Sequence, residues 1–372
     1  MDKDDPLIRP EVGALADYNA GLALERFRAV YGVDAVAKLD SNESPLGPAP
    51  AAVAAMQAVA AGIWRYPDAG DLALRRAIGA AQGVDPDRVI AGNGSEDLIG
   101  AIYRCVLRSG DRVVTICPSF GLHEFGAQAL GARVTKVRFG DDWAFPLAGL
   151  VAALREPARV LIFSSPSNPA GPAVTQGDFA ALVAAVPRGT LLVFDEAYRE
   201  YLDPALAFDA GRIMQDAGLD WVSLHTFSKA YGLAGARVGY GICSGPDLTR
   251  ALRKTRNPFA VNAFAGAAAL AALQDGAHLA RTVALTVAER ARVAAALAAQ
   301  GHSVAPSQGN FLFFQTPGPA ADFAERLRRR GVLVKAWQEP PYLDWARVTI
   351  ATPTENDAFI AALAAVRAAP SP

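Results

Sequence analysis

Between residues 51 and 262 the chain returns seven times to the same short motif, a run rich in Val, Ile, Leu and Phe set among longer Ala/Leu-rich stretches. The runs are "RVIAG", "RVVTIC", "ARVTKVRF", "RVLIFSS", "TLLVFDEA", "WVSLHTF" and "ARVGYGIC". Parallel strands need long crossovers, and helices supply them, so the alternation predicts an α/β fold whose mostly parallel seven-stranded sheet is wrapped by helices. The last run follows its predecessor after a turn too short for a crossover helix. An antiparallel strand is predicted there.

From Asn262 to Gln300 the chain becomes Ala, Leu, Val and Arg almost throughout, which predicts long helices leaving the sheet, bent where Gly276 interrupts "QDGAH". Beyond them "NFLFFQ", "GVLVKAW" and "ARVTIAT" read as short strands, with "AADFAERLRRRG" a helix between the first two. Thr354 is the expected N-cap of a last helix, "ENDAFIAALAAVRAA". The Pro-rich "SNESPLGPAPAAV" sets off an N-terminal segment. The expected organisation is a segment 1–41 packing with the small domain, a large domain over 42–262 and a smaller α/β domain over 263–372.

Charge and composition narrow the partners. With 36 basic and 37 acidic residues the net charge is −1, which supports neither nucleic acid nor an anionic membrane surface. No run of about 20 apolar residues suggests a membrane span. The charged start "MDKDDPLIRPEVG" lacks the apolar centre of a signal peptide, so a cytoplasmic protein is expected. Cys105, Cys117 and Cys243 are odd in number and far apart, and His123, His225, His278 and His302 lack ligand spacing. Neither a disulfide framework nor a metal site is expected. Small molecules remain.

The candidate chemistry gathers where strands end. In "TFSKAYGLAGARVGYG", residues 226–241, Lys229 lies between one strand and the next. Loops at strand ends in α/β proteins carry ligands, although a lone lysine there is as readily a solvated one. In "AGNGSEDLIG" a Gly-rich turn puts Ser95 and Glu96 at a helix start, either as an anion site or as a plain Ser cap. Phe120 in "CPSFGLHEF", Asn168 in "SSPSNPAGP", and Asp195 and Tyr198 in "VFDEAYREY" follow three further strands. Each has an ordinary reading as core filling, turn or cap. Together they suit one flat cofactor.

The order GNGS, PSF, SNPAG, DEAY, SKAYGLAGARVGY resembles the fold type I pyridoxal-phosphate aminotransferases. "KLDSNESPLGP", "RYPD" and "ARVTIATPTEN" bring it closer to the histidinol-phosphate aminotransferase family, from about Tyr18 to Asn356. The resemblance implies pyridoxal 5'-phosphate as cofactor, Lys229 joined to it covalently and then acting as general base and acid, and Asp195 on the pyridine nitrogen. It implies Asn168 and Tyr198 at the ring oxygen and Phe120 on the ring face. The phosphate would sit on Ser95, Glu96, Thr226, Ser228 and Arg237, with Gly232 and Gly235 turning the chain between Lys229 and Arg237. Tyr66 would reach the phosphate of the neighbouring subunit, which implies a homodimer.

For substrates, the resemblance places Arg347 and Asn42 at a carboxylate and Tyr18 at the far end of the donor. Lys335 stands where the family usually has Arg, facing the phosphate of histidinol phosphate. Lys binds phosphate as a point charge and loses the planar fork. The expected reaction is amino transfer between histidinol phosphate and 2-oxoglutarate. Phe120 in place of Tyr and Ala170 in place of Thr make the pocket more apolar, so an aromatic amino-acid aminotransferase is the alternative. A phosphothreonine decarboxylase and a noncatalytic pyridoxal-phosphate-binding protein are more remote.

Overall fold

The computed structural model describes residues 7–17 and 21–368. In it eleven strands run in chain order: β1 (Ala37–Leu39), β2 (Val89–Gly92), β3 (Arg112–Cys117), β4 (Arg133–Arg138), β5 (Val160–Ser164), β6 (Leu191–Asp195), β7 (Trp221–Thr226), β8 (Gly239–Cys243), β9 (Phe311–Gln315), β10 (Val332–Ala336) and β11 (Trp345–Thr349). Seven of them form one sheet in the order β2-β8-β7-β6-β5-β3-β4. All seven expected runs are present, and β8 alone is reversed, antiparallel to β7 and to β2. The short connection after β7 is the cause, because no crossover helix fits it.

Every residue of β2, β3, β5, β6, β7 and β8 is buried, as a sheet covered on both faces requires. Leu192, Phe194, Trp221 and Tyr240 pack on one side with Ala265, Ala268 and Ala269 of helix Ala263–Gln274. Val193, Val222 and Leu224 pack on the other with Leu98 and Ile102 of helix Ser95–Val106. Alternation along each strand thus serves two cores.

The smaller sheet has the order β1-β10-β11-β9. Its edge strand β1 has no counterpart in the sequence reading; three residues give too short a pattern to register. It joins β10 in parallel and buries Ala37 and Leu39 in the small core, so this part of the N-terminal segment does pack there. The long helical stretch is broken at Asp275, whose carboxylate accepts the His278 N–H at 3.0 Å. Helix Ala263–Gln274 belongs to the large core, whereas Val293 and Leu297 of helix Gly276–Ala299 belong to the small one. We propose to divide the domains at Asp275 and not at 262/263.

Two local expectations are corrected. The last helix, Pro353–Ala368, is capped by Thr352 and not by Thr354. Thr352 Oγ1 accepts the Glu355 N–H at 3.4 Å, while Glu355 Oε2 accepts the Thr352 N–H at 3.2 Å. Pro353 suits the first helical position because it has no N–H to satisfy. In the turn after Lys229, Gly232 is required but Gly235 is not. Gly232 has φ +70°, and an added Cβ would lie 2.1 Å from the Gly47 carbonyl oxygen, whereas Gly235 has open space around it. Gly232→Ala is therefore expected to lose about 1–3 kcal/mol from the backbone conformation alone, with the clash in addition. Gly235→Ala should stay within about 0.5 kcal/mol of the parent, both read by urea denaturation.

Candidate active site

The C-terminal ends of β2, β3, β5, β6 and β7 deliver Ser95, Phe120, Asn168, Asp195 and Lys229 to one edge of the large sheet, where a cavity of about 660 Å³ opens. Glu96, Tyr198, Thr226, Ser228 and Arg237 line it from the same domain. The small domain closes the other side with Lys335 on β10 and Arg347 on β11, and Asn42 comes from the segment after β1.

Lys229 is the centre. Its Nζ donates to the Ser41 carbonyl at 3.1 Å and lies 5.9 Å from the centre of the Tyr198 ring. Burial first, and then the positive charge of Arg347, pushes its amine down to about 7 from the ordinary 10.5. A neutral amine in a cavity is a nucleophile and a base, which a solvated lysine is not.

Asp195 is buried at the end of β6. Its Oδ1 accepts the Ala197 N–H at 3.0 Å, so the expected local cap exists, but Oδ2 lies 3.1 Å from His123 Nε2. His123 Nδ1 in turn lies 3.0 Å from Ser119 Oγ. His123, fully buried, is the functional neighbour that the sequence reading missed. Its partner Asp195 lies 72 positions along the chain, and no local spacing connects them.

At the far end of the sheet edge, helix Ser95–Val106 begins with Gly94 as its cap residue and no side-chain cap bond. Ser95 is therefore not a plain N-cap, and the first amides are available to an anion. Gly94 has φ +84°, and a Cβ there would lie 2.7 Å from Arg237 Nη2; a Cβ on Gly239 would lie 2.5 Å from the Ser95 amide nitrogen. Arg237 itself has a left-handed φ of 60°. Its guanidinium reaches Glu96 Oε2 at 3.5 Å. Hydroxyls of Thr226 and Ser228 complete a cationic, donor-lined cradle that any side chain at Gly94 or Gly239 would invade.

On the small-domain side Arg347 donates from Nη1 to Asn168 Oδ1 and from Nη2 to the Asp40 carbonyl, each at 2.7 Å. Lys335 and Arg347 are direct cross-strand partners. Two cations in that relation repel each other, so the pair suits a bound anion. Burial, then Arg347, pushes Lys335 down to about 8. Asn42 lines the cavity with φ 55° and gives its amide N–H₂ to the Tyr198 hydroxyl at 3.0 Å. At the rim Lys136 of β4 reaches Glu124 at 3.0 Å and Glu339 of the small domain at 2.5 Å.

One expected residue is absent from the described lining of this cavity. Tyr66 is 82% exposed and stacks on Phe259 with ring centroids 4.6 Å apart. Tyr18 lies outside the described residues, although Leu15 and Asp17 just before it line the cavity.

Fold and site together define an α/β transferase of fold type I, with a buried amine at a strand end, a carboxylate and an anion cradle on either side of it. Residues 34–363 match the family model of aminotransferase class I and II. The chain is 46% identical over 363 residues to "Histidinol-phosphate aminotransferase 1" of Mesorhizobium japonicum, covering 98% of this chain and 99% of that one. It is 46% identical over 361 residues to "Histidinol-phosphate aminotransferase 3" of Rhizobium meliloti, covering 97% and 98%. Among solved structures, histidinol-phosphate aminotransferase from Sinorhizobium meliloti in complex with pyridoxal-5'-phosphate superposes with TM-score 0.88 at 31% identity, covering 97% of each chain. The chain belongs to the aminotransferase class I and II family, and so is an enzyme of amino-group transfer.

The amine's environment is directly measurable. In cofactor-free protein, labelling of Lys229 by an amine-specific reagent should follow a pH midpoint near 7, well below the ordinary lysine value of 10.5, read by peptide mass spectrometry. A midpoint for Lys229 near 10.5 would mean that the amine is solvated.

Proposed function

We propose that this protein is a pyridoxal 5'-phosphate-dependent histidinol-phosphate aminotransferase, moving an amino group between histidinol phosphate and 2-oxoglutarate in histidine biosynthesis. The observation that carries the reading is the convergence of Lys229, Asp195, Asn168, Tyr198 and Arg237 on one cavity, with Arg347 facing them from the other domain. The relatives named above support it, since they bear that activity in their names across nearly the whole chain.

The residues fit the cofactor. The cradle of Ser95, Glu96, Thr226, Ser228 and Arg237 offers amides, hydroxyls and a guanidinium to a phosphate. Asp195 offers a buried carboxylate to a protonated ring nitrogen, and Lys229 a neutral amine to an aldehyde carbon. When bound, pyridoxal phosphate supplies an electron sink that acidifies the Cα–H of the amino donor.

The chain's own work is orientation and proton transfer. Lys229 would hold the cofactor through its amine and, once free of it, would take and return the proton at the donor's Cα. Asp195, fixed by His123 and the Ala197 amide, would hold a proton on the ring nitrogen of a bound cofactor. Asn168 and Tyr198 would donate to the ring oxygen, and Phe120 would cover the ring face. Arg347, with Asn42 nearby, binds the carboxylate of glutamate. Lys335, with Tyr18, meets the phosphate of histidinol phosphate, and a phosphate dianion answers the Lys335–Arg347 cation pair better than a single carboxylate does.

The reading extends to a cytoplasmic homodimer. All three cysteines are free thiols, which suits a reducing compartment. Ile63, Trp64 and Tyr66 stand 56%, 74% and 82% exposed beside Phe259, an apolar patch of the kind that an interface covers. Tyr66 would cross that interface to the partner's phosphate cradle. Tyr66→Ala should then weaken pyridoxal phosphate binding about tenfold, roughly one lost hydrogen bond to a charged group. Equilibrium dialysis reads the affinity and light scattering the mass; an unchanged affinity would remove Tyr66 from the site.

A specific observation favours a second reading, aromatic amino-acid transfer: Phe120, Phe125 and Trp337 line the cavity, and Lys335 lacks the guanidinium fork. Values of kcat/KM for histidinol phosphate, phenylalanine and tyrosine against 2-oxoglutarate decide between them. Histidinol phosphate should lead, and Lys335→Ala should raise its KM about tenfold or more while leaving phenylalanine within about threefold. Faster turnover of phenylalanine by the parent protein would replace the substrate and leave amino transfer standing.

A further inference from the structure

Three successive backbone carbonyls of the segment after β1 point at three functional or buried side chains. Asp40 O accepts from Arg347 Nη2 at 2.7 Å, Ser41 O from Lys229 Nζ at 3.1 Å, and Asn42 O from Asn310 Nδ2 at 3.1 Å. Extended backbone turns successive carbonyls to opposite sides, so such a row needs a break. Asn42 supplies it, with a left-handed φ of 55°. Asparagine tolerates that region better than other side-chain-bearing residues, but it does not choose it unaided.

Asn310 has no role in the reading given above. It stands just before β9, is fully buried, and gives its single amide nitrogen to two consecutive carbonyls, Asn42 O at 3.1 Å and Glu43 O at 3.4 Å. Its own carbonyl accepts the Ile350 N–H at 2.8 Å, immediately beyond β11, the strand that carries Arg347. Its Oδ1 is buried without a hydrogen bond. An amide that leaves half its capacity unmet in a dry core is costly, so the donor half is what this position requires. A second tie joins the same turn to β11: the Asn42 N–H donates to Thr349 Oγ1 at 2.9 Å.

We propose that Asn310 is a positioning residue, which holds residues 40–43 in the left-handed turn from which the carbonyls of Asp40 and Ser41 grip Arg347 and Lys229. Through it the small domain sets the place of an amine that belongs to the large domain. The inference rests on the reading of Lys229 as the reactive amine. Without the Asn310 donor, the buried Asn42 carbonyl and the half-buried Glu43 carbonyl lose this partner, the turn relaxes toward extended backbone and water follows it to Lys229. Because burial is the first cause of that amine's low basicity, its titration midpoint moves up.

The test is the pH midpoint of Lys229 labelling in full-length protein freed of cofactor, compared among the parent, Asn310→Ala and Asn356→Ala. Asn356 is an equally buried small-domain asparagine, bonded to Glu289 Oε2 at 2.7 Å and the Ala351 carbonyl at 3.0 Å, and it touches none of the groups above. Both variants should lose stability, but only Asn310→Ala should raise the midpoint by more than half a pH unit. A smaller rise, no change or a fall overturns the proposal, as does an equal rise in Asn356→Ala. Should Asn310→Ala not fold, Asn310→Leu keeps the volume, removes the donor and is read in the same way. A parent midpoint near 10.5 would instead sink the reading of Lys229 itself, and the positioning role with it.

Discussion

A lysine amine kept away from water among other cations is the condition on which this site depends. Lys229 shares its cavity with Arg237, Lys335 and Arg347, and among the described residues no carboxylate pairs with it directly. Burial and that positive field favour the neutral amine, the form able to attack a carbonyl carbon. The arrangement holds only if every neighbouring cation has its own partner. Arg347 has Asn168 Oδ1 and the Asp40 carbonyl, Arg237 has Glu96 and the Ala234 carbonyl, and Lys38, close by, has Asp40 and Glu43.

The sheet supplies the rigidity for this. Five strand ends carry functional residues at one edge, and each strand is pinned by its neighbours and covered on both faces, so side chains distant in sequence meet with little freedom. The reversed strand β8 matters here. By returning at once beside β7, it brings Gly239 against the Ser95 amide and Arg237 against Gly94, so that the anion cradle closes around the hairpin that carries the lysine.

The small domain is not a bystander. It contributes Arg347 and Lys335, and through β1 it directs residues 40–43 into the cavity floor. Contacts at the rim, where Lys136 meets both Glu124 and Glu339 and the Tyr342 hydroxyl reaches the Cys117 carbonyl at 3.3 Å, bring the two domains together around the same space. The Lys335–Arg347 cation pair and the carbonyl that holds Lys229 therefore share one mechanical frame.

Much of this was legible in the residues alone. Runs of β-branched and aromatic residues alternating with Ala/Leu stretches determined the seven strands, and the shortness of the link before "ARVGYGIC" determined that its strand is reversed. The motifs at the strand ends of the large sheet named ten of the residues that line the cavity, because each lies in or next to a strand whose pattern is strong. The three-residue strand β1 was not legible, nor was Thr352 as the final cap, since local pattern there is short or ambiguous. What only the tertiary structure decided is pairing over distance: His123 with Asp195, Lys229 with the Ser41 carbonyl, and Asn310 with the Asn42 carbonyl, separated by 72, 188 and 268 positions. A hydrogen bond between residues so far apart leaves no periodicity in the chain, and its geometry exists only once distant elements have packed.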